Sequence, residues 1–248
     1  MEGGKRNIVV ILIAAVIAVA VLSSFGLGIF APDTAEIVLP TAAASASPEG
    51  ESGGAVRVEV TPDTVQSVIA TLTRPESYGR TVIVQDLWEE ELGSTTARVW
   101  VDGGWTRTDA VWPGGLRRSS IVGDGQFWIW YEGADQVLTG PADGSSADLE
   151  GQRIPTYETV LELDTASITA AGYEALDGLG CVYVEADAGD GHVSRFWVDT
   201  DSGLLVRAEQ LSGGQVVYRM TAAGLERPAP SDASFTLPDG TVLHQIGM

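Results

Sequence analysis

Cysteine occurs once in the 248 residues, at position 181. A single thiol excludes an intramolecular disulfide and any zinc site built from several cysteines. Inside a strand pattern, a lone cysteine reads as a small buried hydrophobe. Lysine also occurs once, at Lys5, so every basic residue beyond Arg6 is an arginine. The 14 basic residues face 34 acidic ones, for a net charge of −20. That balance speaks against a nucleic-acid partner, because phosphate binding needs a basic footprint. It also disfavours adsorption of the whole domain to anionic headgroups and points to a solubilising surface.

Histidine is scarce too. His192 sits beside a Gly-Asp-Gly turn and His244 lies near the C-terminus. No Gly-x-Ser-x-Gly elbow accompanies either one, so a Ser-His-Asp hydrolase lacks its nucleophile turn. The glycine-rich stretches are not followed by a Lys-Ser/Thr helix, which removes a phosphate loop. Asp187, Asp190, Asp199 and Asp201 flank neighbouring turns and raise the question of calcium. The segment from Asp199 to Gly203 lacks the further oxygen positions and the distal Glu of an EF-hand, and Asp and Gly are also what tight turns require. The sequence therefore predicts a non-enzyme, with no cofactor and no metal.

The long apolar run is at the front. Residues 8–30 contain only Ser23 and Ser24 as polar interruptions. A helix of that length reaches about 35 Å, enough for a hydrocarbon core of about 30 Å. Lys5 and Arg6 precede it, and Asp33 and Glu36 follow, which by the positive-inside bias places residues 1–7 in the cytoplasm and the rest outside. A cleaved signal peptide is the alternative, with small-residue sites such as Thr41-Ala42-Ala43 beyond the run. Both readings send the following domain across the membrane. Residues 31–54 read as a flexible linker, rich in Ala, Ser, Gly and Glu. Residues 55–248 form the domain, long enough for one sizeable core.

Within the domain a helix is expected first, with Thr61 as N-cap and Pro62 at its first position. Val65, Val68, Ile69 and Leu72 then make one apolar stripe. Short β segments follow at 79–88, 95–101, 105–112, 116–122, 126–132 and 136–139. They are separated by turn signals such as Asp102-Gly103-Gly104 and Asp124-Gly125. A short helix is predicted over 154–163, capped at Thr156. Strands resume at 166–176, 180–186, 192–199, 204–211 and 215–223, and 235–243 closes the chain. The fold class is mostly β (α+β). About ten or eleven strands in consecutive hairpins make an antiparallel meander that can curl into a half-barrel, with the N-terminal and middle helices over its mouth.

Alternation predicts which face is apolar. Val99 and Val101 oppose Arg98. Val182 and Val184 oppose Tyr183 and Glu185. Phe196 and Val198 oppose Arg195 and Asp199. Leu204 and Val206 oppose Arg207 and Glu209, and Tyr218 and Met220 oppose Arg219. In the segment Phe127-Trp128-Ile129-Trp130-Tyr131 both faces are apolar. Trp88, Trp100, Trp105, Trp112, Trp128, Trp130 and Trp197 all fall in or beside strands, as packing residues or as the lining of a cavity.

The hairpin order resembles the outer-membrane lipoprotein carrier LolA and its relatives. So do the segments 121–131 (Ile-Val-Gly-Asp-Gly-Gln-Phe-Trp-Ile-Trp-Tyr) and 196–207 (Phe-Trp-Val-Asp-Thr-Asp-Ser-Gly-Leu-Leu-Val-Arg), and the ending Phe235-Thr-Leu-Pro-Asp-Gly. The resemblance implies a strongly curved antiparallel sheet with helices over its open side and an apolar hollow for acyl chains. Relatives similar to RseB regulate anti-sigma factors instead, and some Gram-positive members are tied to sporulation or germination. The expected ligand-binding residues are Val99, Val101, Trp128, Trp130, Val182, Val184, Phe196, Val198, Leu204, Val206, Tyr218 and Met220. The expected partners are a lipid or acylated protein, the membrane through the N-terminal helix, and an envelope protein as the alternative.

Overall fold

The computed structural model describes residues 59–87, 93–134, 136–142, 154–189, 191–231 and 233–246. The apolar run 8–30, the linker, Trp88 and Asp190 lie outside the described residues. Among the described residues no helix is long and apolar enough to cross a membrane. Val58–Met248 is one compact unit and contains every strand, both described α-helices and the whole core.

The chain runs α1 (Val65–Thr71), β1 (Ser77–Asp86), β2 (Gly93–Asp102), β3 (Trp105–Val111), β4 (Arg117–Gly123), β5 (Gln126–Tyr131) and β6 (Leu138–Pro141). It continues through α2 (Tyr157–Leu161), β7 (Ile168–Leu176), β8 (Leu179–Gly189), β9 (His192–Asp199), β10 (Leu205–Ser212) and β11 (Gln215–Glu226), and ends in β12 (Phe235–Thr236) and β13 (Val242–His244). Eleven strands form one open sheet in the order β6-β5-β4-β3-β2-β1-β11-β10-β9-β8-β7, and β12 pairs with β13 alone.

The sheet is therefore two meanders joined at their ends rather than one. The joint is the antiparallel pairing of β1 with β11, which sets Val84 opposite Met220 and Val82 opposite Ala222. In each meander a hairpin is closed by a pair of left-handed residues. Asp124 (φ 49°) with Gly125 (φ 70°) turns β4 into β5, and Asp177 (φ 51°) with Gly178 (φ 87°) turns β7 into β8. Both central residues at positive φ make the primed turn whose twist matches the strands it joins.

Residues opposite each other in an antiparallel pair share a face. The registers therefore sort the sheet into a helix-bearing face and its opposite. Val82, Ala97, Val99, Val182, Val184, Val198 and Met220 are almost wholly buried and belong to one cluster with Val65 and Ile69 of α1 and Val160 of α2. The predicted stripe of α1 holds, since Val68 and Leu72 pack against the same cluster.

α1 begins one turn later than expected. Thr61 does not cap it. Instead the Thr61 carbonyl accepts from the amides of Thr64 (3.1 Å) and Val65 (2.9 Å), closing a turn ahead of the helix. α2 is shorter than 154–163, yet its start is the expected one, with Thr156 and Thr159 forming a reciprocal capping box.

Two side chains bind the helices together. Arg74 donates to the carbonyls of Ile69 (2.6 Å) and Leu72 (2.9 Å) at the end of α1, and its guanidinium lies 3.6 Å above the Tyr157 ring. Gln66 Nε2 lies 3.1, 3.0 and 2.8 Å from the carbonyls of Val160, Leu161 and Leu163, while its Oε1 accepts from Thr165 Oγ1 at 2.9 Å. Helix ends leave carbonyls without intrahelical partners, and here a side chain from another helix supplies the donor. Gln66→Met, which keeps the volume and removes the donor, lowers stability by about 2 kcal/mol, read from the midpoint of urea unfolding.

Candidate functional site

The predicted ligand residues separate into three groups. Val99, Val182, Val184, Phe196, Val198, Tyr218 and Met220 lie in the main cluster beneath the helices, and Val101 packs against it. Leu204 and Val206 do not follow. A register shift between Leu205 and Arg207 interrupts the alternation of β10, so Leu205, opposite Val198, is the cluster residue. Leu204 is buried in the preceding turn and Val206 is half-buried outside the cluster. A bulge inserts one residue and reverses the face read by simple alternation.

Trp128 and Trp130 form the third group. Trp128 pairs with Ile121, which pairs with Arg107 and, through it, with Trp100. These residues occupy the face opposite Val99. Trp105 and Trp197 share that face by register, so most of the tryptophans panel the side away from the helices. The Trp105 and Trp128 rings stack at 6.0 Å, and Tyr183 meets Trp197 at 5.2 Å. Trp112 alone among the described tryptophans packs on the main cluster.

The chain's end covers part of this tryptophan face. His244 stacks on Trp105 at 5.4 Å, meets Phe235 edge-on at 5.1 Å, and places Nε2 2.7 Å from Asp102 Oδ2. Gly123 makes room for the arrangement, because a Cβ there would sit 2.2 Å from the Trp105 ring. Alternation within a strand carries no sign of this strap, because its partners are far apart in sequence.

The concavity that bears on binding is on the helix-bearing face. A groove of about 400 Å³ lies between α2 and β9–β11. Ile154, Leu163, Phe196, Ala208 and Tyr218 supply its apolar wall, and Thr159, Ser194 and Gln210 its polar atoms. Cross-strand register orders this wall. Phe196, Ala208 and Met220 make one row, and Ser194, Gln210 and Tyr218 the next. Among the described residues lining it, Glu209 alone is charged, and its carboxylate is taken by Arg219 Nε at 2.8 Å. Of the expected ligand residues, the groove thus gathers Phe196 and Tyr218. Ile154, Leu163, Ala208 and Gln210 were not foreseen as site residues, since a groove between a helix and three strands has no signature within one segment.

A second groove, about 450 Å³, opens on the tryptophan face between Trp100, Trp130, Arg98 and Arg117. The Arg98 guanidinium lies 5.1 Å from the Trp100 ring, and Arg107 lies 5.7 Å from Trp100 and 5.8 Å from Trp130. Elsewhere on this face the charges pair. Glu185 accepts from Arg195 Nε (2.8 Å) and from the Tyr183 hydroxyl (2.9 Å). The hydrogen bond to Arg195 holds the Glu185 carboxyl below its usual range, and burial pushes the Tyr183 hydroxyl up to about 12.

The groups weighed for chemistry are occupied structurally. Cys181 is buried, and that burial, with Asp199 and Glu174 adding to it, pushes its thiol up to about 11. Asp199 accepts from the Ser202 amide (3.0 Å) and hydroxyl (2.5 Å), which closes the turn before β10.

No family model matches the chain, and no curated protein matches it. Solved structures do. The MucA/MucB complex of Pseudomonas aeruginosa is matched at 19% identity and a TM-score of 0.44, over 69% of this chain and 59% of that one. The lipoprotein LppX of Mycobacterium tuberculosis is matched at 15% and 0.37, over 68% and 94%. A LolA superfamily protein from Nitrosomonas europaea is matched at 10% and 0.31, over 67% and 93%.

Three outcomes follow from this geometry. Cys181 in the native protein reacts with a thiol reagent at pH 8 about a hundredfold more slowly than in urea, since only the thiolate attacks. Its contribution to stability is full below about pH 9 and is lost as pH rises toward 11, because the unfolded thiol ionises first. Gly123→Val displaces the Trp105 ring and destabilises the domain by about 2 kcal/mol in urea unfolding.

Proposed function

We propose that the domain is a non-enzymatic binding protein that holds an acyl chain, of a lipid or a lipoprotein, in the groove between α2 and β9–β11. The observation that carries the reading is the groove itself. Its volume, about 400 Å³, falls within the roughly 300–1,000 Å³ of small-molecule sites, and such sites are apolar with a few placed polar groups. Each methylene removed from water there contributes about 0.8 kcal/mol, so a chain needs no cation to be retained. Eleven-stranded open sheets tend to curl, and we read this one as a half-barrel whose hollow α1 and α2 fill except along the groove. The charge pattern around residues 8–30 supports reading the domain as lying at the outer face of the cytoplasmic membrane, tethered by that apolar run.

A second reading is a docking module of an envelope-stress or sporulation system. The groove on the tryptophan face favours it, since tryptophan and arginine are the residues that dominate protein interfaces.

The two readings separate in one preparation. Residues 55–248 secreted into a bacterial periplasm carry a lipid or fatty acyl species of defined mass in native mass spectrometry. Leu163→Asp, at the groove wall, reduces the bound fraction to less than about a fifth, as a charge in an apolar site requires. An apo mass that lipids do not change, with one stoichiometric protein captured on the Trp100–Trp130 surface, replaces the first reading with the second.

A further inference from the structure

The groove's polar atoms have a chemistry of their own. Resting on the acyl-binding reading, we infer that the groove selects acyl chains joined through an ester or amide and rejects free fatty acids. Ser194 of β9, Gln210 of β10 and Tyr218 of β11 lie side by side, each opposite the next. Phe196, Ala208 and Met220 form the parallel row two residues further in. Rows two residues apart along a strand are separated by about 6.7 Å. The wall thus passes from apolar to neutral polar over little more than one repeat. A chain lying along it presents its linkage carbonyl to the row that contains a hydroxyl and an amide.

No cation stands in that row. Arg219 and Arg195 are on adjacent strands, but register turns both to the other face, where Glu209 and Glu185 hold them at 2.8 Å. Among the described residues lining the groove Glu209 alone is charged, and its carboxylate is turned to Arg219 on that other face. A carboxylate seated there gives up part of its hydration and meets no counter-ion among the described residues of the row. An ester or amide carbonyl loses little and accepts a hydrogen bond.

The test uses Val58–Met248, the unit that holds the whole core, with its fold checked by circular dichroism. Three twelve-carbon probes are titrated at pH 8 by calorimetry: laurate, glycerol monolaurate and N-lauroyl-glycinamide. The inference expects both neutral probes to bind at least tenfold more tightly than laurate. Gln210→Arg, which puts a cation into that row, then raises laurate affinity at least tenfold and narrows the preference for the neutral probes. Tighter binding of the glycinamide assigns the site to acylated protein, and tighter binding of the glyceride to lipid. Both outcomes uphold the shared chemistry. Laurate within tenfold of the neutral probes, or no gain with Gln210→Arg, overturns the inference while leaving acyl binding in place. Failure of all three probes to bind removes acyl binding, and the inference with it.

Discussion

The pairing of β1 with β11 is the contact on which the rest depends. Each meander alone has one apolar face and no partner for it. Val82, Val84, Ala97 and Val99 belong to the first, and Val182, Val184, Val198 and Met220 to the second. Joining the two sheets at Val84 and Met220 merges those faces into one surface wide enough for α1 and α2 to bury against. The price is a ladder closed between strands about 140 residues apart in sequence, where loop-closure entropy opposes pairing.

Much of this was legible locally. The period of two in Val182–Val184 and Phe196–Val198, the helical stripe from Val65 to Leu72 and the Thr156 cap all survive into the structure, because each is decided within one element. What was not legible is decided between elements. Nothing within β1 or β11 announces their pairing. In Phe127–Tyr131 both faces are apolar, so alternation could not say which meets the core, and Trp128 and Trp130 lie on the side opposite Val99. The irregularity at Leu205–Arg207 replaced Leu204 and Val206 with Leu205 in the cluster. The groove was visible only through two of its residues, Phe196 and Tyr218, because its other side comes from Ile154 and Leu163.

The two faces of the sheet divide the labour. The helix-bearing face is mostly aliphatic and close-packed, with a groove beside α2. The other face carries tryptophans, arginines and paired carboxylates, with the C-terminal hairpin laid across Trp105. The groove beside α2 and the groove between Trp100 and Trp130 therefore share no lining residue.

Gln66 has a mechanical meaning as well as a structural one. Its amide spans from α1 to the carbonyls that end α2 and to Thr165 beyond. α2 forms one wall of the groove, yet it cannot hinge outward by itself without breaking those bonds at once. Any dilation that admits a bulkier guest must lift both helices as a single stiff plate against the sheet. The breathing of the groove is thereby coupled to the segment immediately before α1, through which the domain joins the rest of its chain.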